Sequence, residues 1–115
     1  MGVRHTLLET PPERVPHEYA QAVIDFCKRL DVIAVAYVGL TRVAVEFQNP
    51  TEELAAAFVL TEETQANIEA VAGRFYESMP DDVQAGGCNI LESGGAAAWA
   101  AKAQRVFARQ GPEFS

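Results

Sequence analysis

Residues that carry metal-ion or nucleophilic chemistry are scarce in this chain. It contains two cysteines, Cys27 and Cys88, and two histidines, His5 and His17, none of them neighbours at ligand spacing. Zinc sites need closely spaced cysteine and histidine pairs, and small secreted domains need a dense cysteine framework. We therefore predict two reduced thiols, no metal and no cofactor.

Long apolar runs are also missing. No uninterrupted apolar segment approaches the roughly 20 residues that a membrane helix needs, and the opening sequence MGVRHTLLET lacks the apolar core of a signal peptide. We expect a soluble cytoplasmic protein with no membrane partner. Seven arginines against two lysines, with abundant alanine, are associated with GC-rich bacterial genomes.

Positive charge is sparse, with 9 basic against 16 acidic side chains and a net charge of -7. Residues 46–92 hold ten acidic side chains and one basic side chain, Arg74. Nucleic-acid binding needs a clustered basic face, and only a last helix bearing Lys102, Arg105 and Arg109 would offer one. We therefore do not expect a nucleic-acid partner, and interpret the acidic surface as a solvated one.

Composition and length are those of an ordinary globular protein. Hydrophobic residues make up 49% and charged residues 22% of the 115 residues, which favours one domain over residues 1–115 with one modest core.

Hydrophobic periodicity predicts the elements of the first half. Residues 4–9 read as a first strand, and a single apolar stripe predicts a helix that begins at Pro16. Residues 32–38 are apolar throughout, which is typical of a buried strand. Residues 43–47 alternate as a half-buried partner strand, and residues 39–42 are interpreted as the turn between the two.

The second half continues the mixture of helices and strands. Thr51 predicts the cap of a short helix, and residues 57–60 fit either a strand or a helix, with a strand favoured. Thr61 predicts the cap of a second long helix. Residues 88–92 read as a last strand, and residues 96–109 as a third helix.

This order of elements predicts an α+β fold. We expect a single-layer, mainly antiparallel sheet of four to five strands covered by two to three helices, related to the split βαβ pattern with an added C-terminal helix. The helices are expected on one face of the sheet.

The run Ser93-Gly94-Gly95 joins the last predicted strand to the third helix. Unpaired amides at such a helix start can bind a small anionic ligand. Alternatively, Ser93 caps the helix and the glycines permit a tight turn. The lysine and serine or threonine of a phosphate-binding loop are absent.

Five further side chains are candidates for lining a binding site. Cys88 follows two glycines and would become a nucleophile only beside a cation that lowers its pKa. Glu46 lies within a strand pattern, where a covering helix would desolvate its carboxylate. Tyr37 and Trp99, with Tyr76, either form aromatic walls of a pocket or belong to the core.

Two functions are compatible with these residues. The first is a binding or regulatory module without catalytic activity, which acts through a protein partner or as a homodimer. The alternative is a small enzyme or ligand-binding domain that holds an anionic small molecule at Ser93-Gly94-Gly95. A pocket that reaches Ser93, Cys88 or Glu46 would favour the second function, and a flat apolar patch over a filled core would favour the first.

Overall fold

The computed structural model describes residues 2–79, 87–91 and 95–108. Within these ranges the chain forms, in order, β1 (Val3–Leu7), a 3-10 turn (Pro12–Arg14), α1 (His17–Arg29), β2 (Ile33–Val45), β3 (Thr51–Leu60), α2 (Gln65–Ser78), β4 (Gly87–Leu91), α3 (Ala96–Lys102) and β5 (Gln104–Ala108). The predicted α+β class is confirmed.

The long strand β2 is the centre of a five-stranded sheet. One edge of β2 pairs antiparallel with β3, and β4 then pairs parallel with β3. The other edge is shared by two short antiparallel strands, because β1 lies opposite residues 41–45 and β5 lies opposite residues 35–38. The sheet is therefore mainly antiparallel, as predicted.

Alternation along β2 and β3 sends apolar side chains to both faces of the sheet. On the first face, Val38 and Phe58 join the buried stripes of α1 and α2 in the larger core cluster. On the second face, Tyr37 and Ala57 pack with Trp99 of α3 in a smaller cluster. The expectation that all helices lie on one face is wrong, since α3 covers the opposite face from α1 and α2.

Three phenylalanines form the centre of the larger cluster. Phe26 of α1, Phe58 of β3 and Phe75 of α2 meet edge-to-face, with ring centroids 5.5 to 5.6 Å apart. This is the arrangement that the aromatic quadrupole prefers. The triad fixes both helices against the same strand.

Thr10 closes the gap between β1 and β5 on the shared edge of β2. It is 2% exposed, and its hydroxyl accepts a hydrogen bond from the Leu40 amide and donates one to the Leu8 carbonyl, each at 2.9 Å. Its amide donates to the Lys102 carbonyl, and its carbonyl accepts from Nε2 of Gln104. One residue thus satisfies backbone groups that neither short strand reaches.

The predicted turn at residues 39–42 and the predicted helix at Thr51 are both wrong. Leu40 and Thr41 lie in the middle of β2, opposite Leu54 and Glu53 of β3. Thr51 pairs with Val43 and therefore begins a strand. Local turn and capping preferences are weak compared with a long ladder of backbone hydrogen bonds, so the hairpin turns at residues 46–50 instead.

The predicted third helix is correct only at its beginning. It ends at Lys102, and residues 104–108 pair with β2 as β5, with Phe107 opposite Ala36. Lys102 and Arg105 therefore do not share a helical face, since Arg105 belongs to a strand. Arg109 lies outside the described residues.

The caps of the two long helices differ in part from the expectation. The first helix begins one residue after Pro16, close to the predicted start. The second is capped by Thr64 and not by Thr61, because the Thr64 hydroxyl accepts a hydrogen bond from the Asn67 amide at 3.2 Å. No helix in the described ranges has the length and apolarity to cross a membrane.

Gly39 is the position where α3 approaches β2 most closely, and we predict that Gly39→Ala lowers the free energy of unfolding by about 1–3 kcal/mol. An added Cβ would lie 2.9 Å from Cβ of Ala103, 3.0 Å from Cδ1 of Leu7 and 3.2 Å from Cζ3 of Trp99. Denaturant unfolding measures the change.

Gly73→Ala is the matched control for this substitution. Nothing lies within 4 Å of an added Cβ at Gly73, which is in the interior of α2. Because alanine has the higher helix propensity, this variant should gain about 0.5–1 kcal/mol. Equal stability of Gly39→Ala and the wild type would contradict the tight packing of α3.

Candidate functional site

A cleft of about 380 Å³ lies mostly on the second face of the sheet, beyond the half that α3 covers, and it extends around β4 to Cys88 and to Tyr76 of α2. We call it the polar cleft. Its lining residues are His5, Thr41, Glu53, Ala55, Tyr76, Gly87, Cys88 and Asn89. They come from β1, β2, β3, α2 and β4, so the cleft depends on the assembled sheet.

Strand register brings the lining side chains together. Thr41 of β2 lies opposite Glu53 of β3, and Ala55 lies opposite Gly87 of β4. Side chains that oppose one another across adjacent strands share a face. Leu7 of β1 lies opposite Thr41, so His5, two residues before it, shares that face as well.

Small residues leave the cleft open. Ala55 and Gly87 carry one or no side-chain carbon, and a Cβ added at Gly87 would lie 3.4 Å from Cβ of Ala55. The same added Cβ would lie 3.9 Å from both Oε1 of Glu53 and Nδ2 of Asn89. Gly87 therefore faces the polar groups of the cleft, and a long side chain at this position would fill it.

Glu53 provides the charge of the polar cleft. Its side chain is half-buried, and within the described part of the chain no hydrogen-bond donor or cation contacts its carboxylate. The adjacent Glu52 points to the other face, where Oε1 lies 3.4 Å from Nη2 of Arg14. Neighbouring glutamates thus differ in their surroundings, and Glu53 is the one left without a counter-charge among the described residues.

Two other polar side chains of the cleft donate hydrogen bonds to backbone carbonyls. The Thr41 hydroxyl donates to the Glu53 carbonyl at 3.3 Å, and Nδ2 of Asn89 donates to the Ala56 carbonyl at 3.3 Å. The hydroxyl lone pairs of Thr41 and the Oδ1 atom of Asn89 remain as acceptors. With the Glu53 carboxylate, these atoms give the cleft several hydrogen-bond acceptors.

Cys88 and Tyr76 lie together at the rim of the cleft, and the buried Tyr19 lies close to them. Burial raises the pKa of Cys88 to about 11. Burial and the nearby Cys88 thiol raise the pKa of Tyr76, while a hydrogen bond with the Cys88 backbone opposes the rise. Tyr19, behind them in the core, has its pKa raised by burial and by Cys88, Tyr76 and Glu53. These groups are neutral at pH 7 and are not activated nucleophiles.

The predicted anion site lies mostly outside the described residues, which exclude Ser93 and Gly94. Gly95 is exposed and precedes α3 with ordinary right-handed backbone angles, φ -83° and ψ -22°. The helix that follows has only seven residues. Anion binding at this run stays a prediction.

The remaining candidates are dispersed over the fold. Tyr37 and Trp99 lie together in the smaller core cluster, each 8% exposed. Cys88 and Tyr76 line the polar cleft. Glu46 is not inside a strand but in the turn after β2, where it lines a separate cleft of about 350 Å³ with Val3 and Arg4.

Sequence reasoning missed most of the cleft. Glu53 falls in the segment predicted as a short helix after Thr51, whereas that segment is a strand. His5 and Thr41 gave no signal, since their relation to Glu53 depends on the register of three strands. Two polar residues on one face of a predicted β2–β3 hairpin would have been the available clue.

The end of the β2–β3 hairpin presents an unusual aromatic residue. Phe47 is 97% exposed and has a positive φ of 67°. The Gln48 amide donates to the Val45 carbonyl at 3.0 Å, which places Phe47 at the third position of the turn. Glycine or asparagine is preferred there, and a bulky residue in this conformation costs about 1–2 kcal/mol.

Comparison with models of known protein families, with curated proteins and with solved structures finds no match for this chain. Within the described ranges, no three side chains of His, Cys, Asp and Glu are grouped to hold a metal ion. The polar cleft and the hairpin end are therefore assessed on their own geometry.

We predict that Cys88 is alkylated by iodoacetamide about a hundredfold more slowly in the folded protein than in urea-unfolded protein at pH 8. The reason is that burial raises the pKa of its thiol from the ordinary value of 9.0 to about 11, which reduces the reactive thiolate about a hundredfold.

Peptide-level mass spectrometry distinguishes Cys88 from the fully buried Cys27. The folded-state rate at Cys88 should still rise about tenfold per pH unit from pH 8 to pH 10, as expected for a thiol below its pKa. Rapid alkylation at pH 7 would show that the thiolate is stabilised instead.

Proposed function

We propose that this protein is a binding module without catalytic activity, and that it holds a small molecule in the polar cleft. The observation that carries the proposal is the cleft of about 380 Å³, in which polar side chains from four strands and one helix converge. Ligand sites combine such a concave surface with a few oriented polar groups. Both cysteines are free, which supports a cytoplasmic location.

The chemistry of the cleft supports binding more than catalysis. A nucleophile needs a base or a lowered pKa, whereas burial raises the pKa of Cys88 to about 11. The hydroxyl of Thr41 already donates to a backbone carbonyl. Glu53 has no second ionisable side chain within bonding distance among the described residues, as a paired acid and base would require.

A thermal-shift screen tests this proposal, because a ligand that binds only the folded state raises its apparent stability. Screened compounds should include small acids, amines, polyols and nucleosides. We expect at least one class to stabilise the wild type and to have no effect on Gly87→Leu, in which the added side chain fills the cleft.

Gly73→Leu is the matched control, because an added Cβ at Gly73 has open space around it. It carries the same change of residue on the exposed surface of α2, and it should respond to the ligand as the wild type does. Stabilisation that survives Gly87→Leu would place the ligand elsewhere and contradict the proposal.

A second function, contact with a protein partner or with a second copy of the chain, is favoured by Phe47. This side chain is 97% exposed and strained at the hairpin end, and Val3 of the adjacent edge strand is 56% exposed. Exposed aromatic residues are enriched at the energetic centres of interfaces. A residue retained against its backbone preference supports a role in recognition.

We predict that Phe47→Asn raises the free energy of unfolding by about 1 kcal/mol, because asparagine tolerates the positive φ of this turn position. Gln48→Asn, next to it, is the control and should leave stability nearly unchanged.

If a homodimer forms through Phe47, sedimentation velocity will detect a dimer for the wild type and for Gln48→Asn, and a monomer for Phe47→Asn. A wild type that is monomeric at all concentrations would exclude the homodimer.

A further inference from the structure

We infer that the ligand of the polar cleft is a small organic molecule with a positively charged amine, and that the Glu53 carboxylate is its counter-ion. This inference rests on the proposed function and names the class of ligand for the same site.

Glu53 is a half-buried carboxylate that has no counter-charge among the described residues. A half-buried carboxylate has lost part of its hydration, and such groups normally gain a cation or hydrogen-bond donors in exchange. Glu53 has neither among the described residues, whereas the adjacent Glu52 pairs with Arg14. A bound ammonium group would supply the missing charge-assisted hydrogen bonds.

Other polar groups that line the cleft offer hydrogen-bond acceptors. The Thr41 hydroxyl and one amide hydrogen of Asn89 are engaged by backbone carbonyls, and the Thr41 oxygen and Oδ1 of Asn89 offer lone pairs to a ligand. An ammonium group has three donors and no acceptor, which matches these lone pairs. A carboxylate or phosphate ligand would instead lie near Glu53 and would meet electrostatic repulsion.

Part of the lining of the cleft is aromatic or apolar. Tyr76, which is 53% exposed, brings a phenol ring to the cleft, and aromatic faces attract organic cations. The Ala55 side chain provides apolar surface for an alkyl chain. A metal ion would need several oxygen, nitrogen or sulfur ligands, and no three side chains of His, Cys, Asp and Glu are grouped to hold one among the described residues.

The electrostatic field around the cleft is expected to be negative. Glu53, Tyr76 and Cys88 all lie between residues 46 and 92, a segment with ten acidic side chains against Arg74 alone. The whole chain carries a net charge of -7. A negative field of this kind concentrates cations near the protein and disfavours anions.

The experiment uses three probes of similar size and different charge: n-butylamine, n-butanol and butyrate. Each is titrated into the ¹⁵N-labelled full chain at pH 7, and the backbone amide shifts of Ala55, Gly87 and Asn89 report on the cleft. We expect n-butylamine to shift these amides in a saturable manner, and to bind at least about tenfold more tightly than n-butanol, the factor lost with one charge-assisted hydrogen bond. Butyrate should leave them unshifted.

Two glutamate variants assign the effect to one carboxylate. Glu53→Gln should weaken n-butylamine binding at least about tenfold. Glu52→Gln makes the same change of charge on the adjacent residue, whose side chain pairs with Arg14, and should change the affinity less than about twofold because exposed charges are screened. Equal thermal midpoints for both variants verify that the fold is retained.

The outcomes separate this inference from the proposed function. Binding of butyrate or n-butanol at these amides without binding of n-butylamine would overturn the amine class and leave a ligand-binding cleft. Binding of n-butylamine that Glu53→Gln does not weaken would overturn the role of Glu53. If none of the three probes shifts the amides, the inference fails, while sensitivity of any screened ligand to Gly87→Leu decides the proposed function independently.

Discussion

The structure depends on how one edge of the long strand β2 is covered by two separate short strands. β1 and β5 pair with different parts of that edge, and the backbone groups of Leu40 between them would otherwise lack partners. Thr10 accepts from the Leu40 amide, and the Leu8 amide donates to the Leu40 carbonyl. Because Thr10 also bonds Lys102 and Gln104, the N-terminal strand and the α3–β5 unit are held together at one point.

This junction determines how much of the second sheet face is covered. α3 is short and ends beside Thr10, with Trp99 packed over Gly39. A helix so anchored reaches the half of the face that contains Tyr37 and Ala57. The polar cleft occupies the rest, so it exists because the closing helix is short and close to β2. The same face therefore contains a tightly packed part and an open part.

The chemical character of the cleft follows from side-chain alternation along the strands. β3 carries Glu52 and Glu53 to opposite faces, and only the first of them lies beside Arg14. The second is left half-buried in a site where the oxygen atoms of Thr41 and Asn89 remain as acceptors. Such a site favours ligands that donate hydrogen bonds and carry positive charge. Because burial raises the pKa of Cys88, its thiol is neutral at pH 7 and is not a nucleophile of the site.

The sequence by itself determined the elements whose hydrophobic pattern is clear from neighbouring residues alone. The stripes of α1 and α2, the apolar start of β2 and the α+β class could all be predicted, because each rests on local periodicity. Tertiary structure decided the rest: β2 runs through Gly39, residues 51–56 are a strand, and residues 104–108 pair with β2. Local preferences at these segments are weak, and hydrogen bonds to distant strands outweigh them. His5, Thr41 and Glu53 are far apart in the sequence, so only strand register could bring them to one cleft.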